Sequence, residues 1–145
     1  MSGERDRARA RYIAPLQERV QRLGRYVFGD DFQVDLDENL AIASRTANGR
    51  TVPFKDLSVG TKEQLDLISR LACALLVSQE GGPLILDDAL GSTDKERLEA
   101  MGAVLSVAGR ECQVIILTCM PERYQHVGGA MVLNLAKLSH EQSPP

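Results

Sequence analysis

The sequence predicts an α/β fold in which parallel strands alternate with helices, together with a small antiparallel hairpin layer and an N-terminal helix. Two short apolar runs, 84–86 and Val114–Leu117, have the length and composition of buried parallel strands. Helical periodicity separates them, and the order strand, helix, strand is that of a parallel sheet with right-handed crossovers. Residues 32–44 alternate apolar and polar side chains around a polar turn, which predicts an antiparallel hairpin.

The N-terminal helix is predicted from a heptad pattern. Its apolar residues follow spacings of 3, 4, 3 and 4 along the chain: Ile13, Leu16, Val20, Leu23 and Val27. Residues 1–11 are polar, and we expect them to be irregular. Because Pro15 disfavours a helix interior, we expect regular helix to begin or kink near it. The pattern fits an amphipathic helix at a domain edge, or the stump of a longer coiled coil.

The spacing of apolar residues and the turn signals between them predict the remaining elements. These are a strand at 51–54 after the Asn48-Gly49 turn, helices at 61–78 and 94–108, and a third parallel strand at 131–133. Thr61 and Gln64 have the spacing of a capping box at the start of the first of these helices. We divide the chain into an Arg-rich segment and coiled-coil stump helix at 1–29, a folded lobe at 30–138 and a disordered tail at 139–145.

Composition leaves the broad function class open. The chain is 43% hydrophobic and 26% charged, as in ordinary globular proteins, and its net charge of −3 neither requires nor excludes a nucleic-acid partner. Positive charge is concentrated in the first segment, which is either a solvated helix face or a patch for a phosphate backbone. The arginines of this segment are Arg5, Arg7, Arg9, Arg11, Arg19, Arg22 and Arg25.

Membrane, secretion and metal signals are lacking in the sequence. There is no run of 18 apolar residues, and the polar N-terminus lacks the apolar core of a signal peptide. Three cysteines without Cys-x-x-Cys spacing indicate reduced packing residues, so we expect a cytoplasmic protein with no membrane partner. The two histidines, His126 and His140, have no metal-ligand spacing.

Residues 57–64 combine a small-residue turn with the start of a helix. Unpaired N–H groups and the positive end of the helix dipole make such a terminus suited to anions. A Ser-x-Gly turn lets an anion approach the backbone, so Ser58 and the N–H groups around Gly60 could hold a phosphate. The alternative is an ordinary helix cap.

Asp87 and Asp88 follow directly after the apolar run at 84–86. The carboxyl ends of strands in open α/β sheets are where ligands bind, and oxygen ligands with bound water suit Mg²⁺. Asp87 would hold the metal through water, and Asp88 would orient or deprotonate an attacking water. The alternative is a solvated or helix-capping pair.

The order of these motifs resembles the C-terminal lobe of the SMC-like branch of ABC ATPase heads, which includes SbcC-type repair ATPases. Residues 57–65, Leu-Ser-Val-Gly-Thr-Lys-Glu-Gln-Leu, resemble the signature motif, and Ser-Arg-Leu-Ala follows at 69–72. Residues 84–88, Leu-Ile-Leu-Asp-Asp, resemble the Walker B strand, and Ser-Thr-Asp at 92–94 resembles the D-loop. The resemblance covers about residues 13–136, and the ordered set is more specific than any single motif.

The resemblance implies two heads that dimerise around two ATP molecules with Mg²⁺ and hydrolyse them, coupled to DNA repair or chromosome maintenance. The resemblance also implies that Asp88 is the catalytic carboxylate and that Asp87 binds Mg²⁺ through water. The nucleotide-contacting set that it implies is Ser58, Val59, Gly60, Thr61, Gln64, Asp94 and Met120. Implied partners are a Walker A lobe on the same or a second polypeptide, a second head as homodimer, DNA and, in some members, a nuclease subunit.

Three departures from the family pattern bear on activity. The chain has no Gly-x-x-x-x-Gly-Lys-Ser/Thr loop, so we expect no ATPase activity from it alone. Asp88 stands where most ABC ATPases have Glu, although paired Asp is usual in the bacterial relatives. Met120 occupies the position of a switch His, and Met cannot donate a hydrogen bond. The alternative function is therefore a nucleotide-dependent scaffold that does not hydrolyse ATP. A third interpretation, an α/β protein unrelated to nucleotides, requires the motif order to be coincidental.

Overall fold

The computed structural model describes residues 2–77 and 82–141, and the polypeptide in these ranges forms a mixed α/β fold. Four helices and five strands are present in this part of the chain, with 3₁₀ turns at Phe54–Asp56 and Pro121–Tyr124. In chain order the elements are α1 (Ser2–Phe28), β1 (Gln33–Leu36), β2 (Ile42–Ala47), β3 (Arg50–Pro53), α2 (Val59–Val77), β4 (Leu84–Asp87), α3 (Lys95–Ala108), β5 (Val114–Leu117) and α4 (Leu135–Glu141).

Helix α1 is longer than predicted, because it begins at Ser2 and continues through Pro15. The expectation that residues 1–11 are irregular is wrong for residues 2–11, and Met1 lies outside the described residues. Ala, Arg and Glu, which dominate the first turns, are strong helix formers, and Pro15 removes only one backbone hydrogen bond. After Pro15 the helix is held by packing, since Leu16, Val20 and Leu23 are buried against the rest of the chain.

The antiparallel layer confirms the predicted hairpin pattern. Strand β2 pairs with β1 on one side and with β3 on the other, giving the order β1-β2-β3. The β2–β3 turn is made by Asn48 and Gly49, whose φ angles of 53° and 70° are those of a two-residue hairpin turn. The β1–β2 turn is fixed by Asp37, whose carboxylate accepts from the backbone N–H groups of Asn39 and Ala41.

The parallel strands β4 and β5 form a two-stranded sheet with one covered face. They pair in parallel with Ile85 opposite Ile115 and Asp87 opposite Leu117. The alternate residues pack against the hydrophobic core that α1, α2 and α3 build: Leu84, Leu86, Val114 and Ile116. On the other face Ile85, Ile115 and Leu117 are exposed. Parallel sheets are normally covered on both faces, whereas among the described residues this face is open to solvent.

The predicted third parallel strand at 131–133 is wrong. These residues belong to no strand, and Met131, Val132 and Leu133 are 60–82% exposed. An apolar run becomes a strand only where a neighbouring strand offers hydrogen bonds, and the described residues provide none here. The chain continues into α4, so residues 139–141 of the predicted disordered tail are helical, and residues 142–145 lie outside the described residues. No helix in the described ranges is long and apolar enough to cross a membrane.

Candidate functional site

The N-terminus of α2 is capped by Ser58. The Ser58 hydroxyl oxygen accepts from the backbone N–H of Thr61 at 3.3 Å and donates to the Thr61 hydroxyl at 2.9 Å. The predicted capping box of Thr61 and Gln64 is therefore wrong, because the helix begins at Val59 and Thr61 lies inside its first turn. Ser58 and Val59 are exposed, so the first turn of α2 faces solvent on one side.

Both carboxylates of the Asp87-Asp88 pair lie at the carboxyl end of the parallel sheet. Strand β4 ends at Asp87, and the backbone N–H of Asp88 donates to the carbonyl of Leu117 at the end of β5. Both side chains are exposed, and the φ angle of Asp88 is 42°, in the left-handed region. The structure thus places the two predicted carboxylates at the sheet edge where α/β proteins bind ligands.

The segment after β5 lies beside Asp88. The Cys119 thiol is 3.9 Å from an Asp88 carboxylate oxygen, and the Met120 N–H donates to the Thr118 hydroxyl at 2.9 Å. Met120 is 44% exposed, so its thioether is free to meet a ligand but has no hydrogen to donate. Parallel pairing of β4 with β5 is what brings Met120 to the same edge as the two carboxylates.

Asp87 could contribute a carboxylate ligand to a magnesium ion. Within the described ranges, no group of three or more His, Cys, Asp or Glu side chains is arranged to hold a metal ion. Mg²⁺ in nucleotide enzymes is commonly bound by one or two carboxylates, substrate phosphates and water. Asp87 could supply one such carboxylate, and the remaining ligands would have to come from nucleotide, water and other protein groups.

The segment between β4 and α3, residues 88–94, is here termed the link loop, and it packs against the first turn of α2. A Cβ atom on Gly60 would lie 2.9 Å from the carbonyl oxygen of Ser92, so only glycine allows this approach. The Glu63 carboxylate accepts from the Ser92 N–H at 2.9 Å and from the Thr93 hydroxyl at 3.2 Å. The buried Gln64 amide donates to the same hydroxyl at 3.4 Å.

Arg97, in the first turn of α3, completes this connection. Its guanidinium donates to the Thr61 hydroxyl at 3.0 Å and to the Gln64 side-chain carbonyl at 3.2 Å. Asp94 caps α3 by accepting from the Arg97 N–H at 3.0 Å. Of the residues predicted to contact nucleotide, Ser58, Thr61, Gln64 and Asp94 therefore belong to one hydrogen-bonded network.

A ring contact lies behind the network. The guanidinium groups of Arg97 and Arg45 lie 5.6 and 5.4 Å from the centre of the Phe28 ring. Burial, and then the nearby Arg97 charge, lower the pKa of Arg45. The two like charges share one aromatic ring, so α3 and β2 are both attached to the end of α1.

The link loop is also held from the segment after β5. The Arg123 guanidinium donates to the carbonyl oxygens of Leu90 and Thr93, the latter at 2.7 Å. Burial raises the pKa of the neighbouring Tyr124 hydroxyl, although hydrogen bonds from the backbone of Leu90 and Ala89 partly oppose this rise. Arg123 and Tyr124 thus connect the segment after β5, which contains Met120, to the link loop, which begins at Asp88.

Sequence reasoning missed the residues that make these connections: Glu63, Thr93, Arg97, Cys119 and Arg123. Their partners are mostly backbone atoms or residues about thirty positions away in the chain. The sequence pattern shows on which face of its helix Arg97 lies, but it does not show which other helix packs against that face. Only Glu63 and Thr93 carried a signal, because they fall inside the motifs at 57–65 and 92–94.

Relatives in sequence are much longer than this chain. Three uncharacterized mycobacterial proteins, one from Mycobacterium bovis and two from strains of Mycobacterium tuberculosis, are 50% identical to it over 136 residues. The alignment covers 93% of this chain but only 16% of each relative, so the chain spans about a sixth of their length. No protein-family model matches the chain.

Solved structures show where the fold has been seen before. A chain from structural work on ATP-driven dimerization and DNA-stimulated activation of SMC ATPases superimposes with a TM-score of 0.69 at 10% identity, covering 97% of this chain and 99% of its own. The SMC head domain of Thermotoga maritima matches with a TM-score of 0.61 at 19% identity, covering 83% of this chain and 45% of that domain. The chain therefore shares its fold with SMC ATPase heads.

Proposed function

We propose that this chain is the C-terminal lobe of an SMC-like ATPase head and contributes half of each composite ATP site in a head dimer. The observation that carries the proposal is the attachment of the first turn of α2 to the link loop through Gly60, Glu63 and Arg97. This attachment fixes the N-terminus of α2, the proposed phosphate contact, relative to the Asp87-Asp88 pair. The shared fold with SMC heads supports the same assignment.

Each side of the lobe has a separate task in this proposal. The start of α2 contacts the γ-phosphate of ATP bound to the other head, through the exposed Ser58 and Val59 and the half-buried Gly60. Thr61 is buried and supports this turn from behind by its hydrogen bonds to Ser58 and Arg97. Asp87 contributes to the Mg²⁺ ligands through water, and Asp88 orients or deprotonates the attacking water. Asp94 lies near the dimer interface, at the start of α3. ATP and Mg²⁺ supply the phosphoryl group and its charge neutralisation.

A missing lobe is needed to complete the head, and the uncovered sheet face supports this part of the proposal. Ile85, Ile115 and Leu117 form an exposed apolar row on the outer face of β4 and β5. A lobe that carries the Walker A loop would cover this row and bring ATP to the carboxyl ends of the strands. The 45% coverage of the Thermotoga maritima head is consistent with a second lobe of comparable size.

DNA is the proposed partner for the N-terminal helix. Four arginines in the first three turns of α1 are exposed: Arg5, Arg7, Arg9 and Arg11. Farther along the helix, Arg19 and Arg22 instead lie within 4 Å of the Glu111 carboxylate, so their charges are partly neutralised. The first group is thus the better candidate for a phosphate backbone, and its binding would weaken as salt increases.

The test of the phosphate contact uses Ser58→Asp in a complete head assembled from this chain and a lobe with a Walker A loop. Asp is as good an N-cap as Ser, so α2 should remain intact, but its negative charge would repel a γ-phosphate. We expect ATP-dependent head dimerisation, measured by light scattering, to weaken by at least about tenfold. Thermal unfolding of the variant should match that of the wild type.

Ser58→Thr is the matched control, because it keeps both the cap and the neutral hydroxyl. It should dimerise with ATP within about twofold of the wild type. Normal ATP-dependent dimerisation of Ser58→Asp would contradict the role of the α2 terminus.

The competing function is a head that dimerises on ATP without efficient hydrolysis, and Met120 is the observation that favours it. Met120 lies at the same sheet edge as Asp88 and has no hydrogen to donate to a γ-phosphate. Comparison of the wild-type head with Asp88→Asn decides between the two functions. For a hydrolase we expect the variant to lose about a hundredfold or more in steady-state ATP turnover while ATP binding persists. Equal, background turnover in both heads, with ATP-dependent dimers still forming, would establish the scaffold function.

A further inference from the structure

The link loop is held mainly by side chains from other elements. Within it, one long backbone hydrogen bond of 3.4 Å joins the Thr93 N–H to the Leu90 carbonyl. External contacts come from Glu63 and Gln64 on α2, from Arg123 and Tyr124 on the 3₁₀ turn after β5, and from the Leu117 carbonyl, which accepts from the Asp88 N–H. Leu90 and Thr93 are buried, whereas the residues between them are exposed. The position of the loop therefore depends on contacts from two sides, on which Glu63 and Arg123 are the charged anchors.

Arg123 is the anchor on the side of the sheet. Its guanidinium reaches two carbonyl oxygens three residues apart, those of Leu90 and Thr93. Among the described residues, Arg123 makes no ion pair with a carboxylate, so the carbonyl dipoles are what its charge contacts. A rigid, planar guanidinium can hold two acceptors in a fixed geometry, which a lysine ammonium on a flexible stem does poorly.

The same residue is joined to Met120 through the backbone. The Arg123 N–H donates to the Met120 carbonyl at 3.1 Å, closing the turn that begins at the end of β5. A displacement of the Met120 peptide would therefore carry Arg123 with it. Through Arg123 it would shift the Leu90 and Thr93 carbonyls, and with them the start of α3 at Asp94.

We propose that Arg123 is a positioning residue that transmits the state of the Met120 segment to the link loop, and so couples occupancy of the ATP site to the surface around Asp94. The inference rests on the proposed function, because it takes the edge with Asp88 and Met120 to be the nucleotide side. Arg123 itself touches no reacting atom in this mechanism. Its effect is on where the loop lies when nucleotide is bound.

The experiment compares Arg123→Gln and Arg123→Lys in a complete head, with Arg110→Gln as the matched control for loss of one positive charge. Arg110 is exposed at the end of α3, away from the link loop. Amide hydrogen exchange of peptides covering residues 88–94 is measured with and without ATP, alongside ATP affinity and turnover.

Without ATP, Arg123→Gln should exchange at least about tenfold faster in the link loop than the wild type and Arg110→Gln. With ATP, the wild type should gain protection in this loop and Arg123→Gln should not, although its ATP affinity stays within about threefold. Turnover should fall by about tenfold without a matching rise in KM, and Arg123→Lys should restore part of it.

The outcomes separate this inference from the proposed function. If the wild-type head binds ATP but amide exchange at 88–94 is the same in Arg123→Gln as in the wild type, the role of Arg123 is overturned and the proposed function stands. A parallel loss of exchange protection throughout the protein would show a general folding defect and would also overturn it. A wild-type head that binds no ATP would overturn the proposed function, and the coupling to nucleotide with it.

Discussion

Gly24 shows how a single absent side chain sets the packing at the end of α1. A Cβ atom at this position would lie 2.0 Å from Cε1 of Phe32. The Phe32 ring is fully buried and stacks on Phe28 with 5.0 Å between ring centres, so it has no space into which to move. Glycine costs helix stability in general, but here it allows an aromatic ring to contact the helix backbone directly.

We predict that Gly24→Ala destabilises the chain by about 1–3 kcal/mol, because the added methyl group overpacks a closed site. Gly3→Ala is the matched control in the same helix, since a Cβ there meets nothing within 4 Å. Its free energy of unfolding should be unchanged or higher by up to about 1 kcal/mol. Urea unfolding followed by circular dichroism measures both, and equal stability of the two variants would show that Phe32 can relax.

At the scale of elements, periodicity located most of the fold. The sequence predicts the three antiparallel strands, α2, α3 and the two parallel strands, and the structure has each of them. The start of α2 differs by two residues because Ser58 and Thr61 are both capping residue types, and local sequence does not say which one the helix uses. Helix α1 is longer than predicted because the helix formers before Pro15 outweigh the one hydrogen bond that Pro15 removes.

The candidate site was partly predictable for the same reason. Motif residues at the ends of α2 and β4 lie where the strand and helix pattern puts them, and parallel pairing alone brings Met120 to the edge that carries Asp88. The connections by Arg97 and Arg123 could not be predicted, because they depend on how elements far apart in sequence lie side by side. The prediction of a strand at 131–133 is wrong because composition alone does not make a strand. These residues have a composition that suits one, but no neighbouring strand is present among the described residues.

For the molecule as a whole, the open face of the parallel sheet is the feature that most affects association. Ile85, Ile115 and Leu117 expose 53%, 36% and 46% of their surface in a row across two strands. Exposed apolar surface that is contiguous marks an interaction site more often than isolated apolar residues do. In the proposed head this surface is where the Walker A lobe packs.

We predict that Ile85→Lys leaves the unfolding free energy of this chain within about 1 kcal/mol of the wild type, because the side chain is already exposed. Binding to the Walker A lobe should weaken by at least about thirtyfold, since the interface would bury an unpaired charge in place of an isoleucine. Titration calorimetry of the two lobes measures this affinity.

Val77→Lys makes the same change at another exposed apolar position, 63% exposed at the end of α2. It should bind the Walker A lobe as the wild type does. If Ile85→Lys also binds normally, the lobe docks somewhere other than on this sheet face.

The left-handed backbone of Asp88 has a consequence for which acid can stand at this position. Asp and Asn occur in this conformation several-fold more readily than longer side chains. A glutamate would extend farther toward a bound water, but in a backbone geometry that its side chain tolerates less well. The shorter acid is therefore the one that the strand end accommodates. The same geometry makes asparagine the replacement that removes the charge with the least disturbance of the chain.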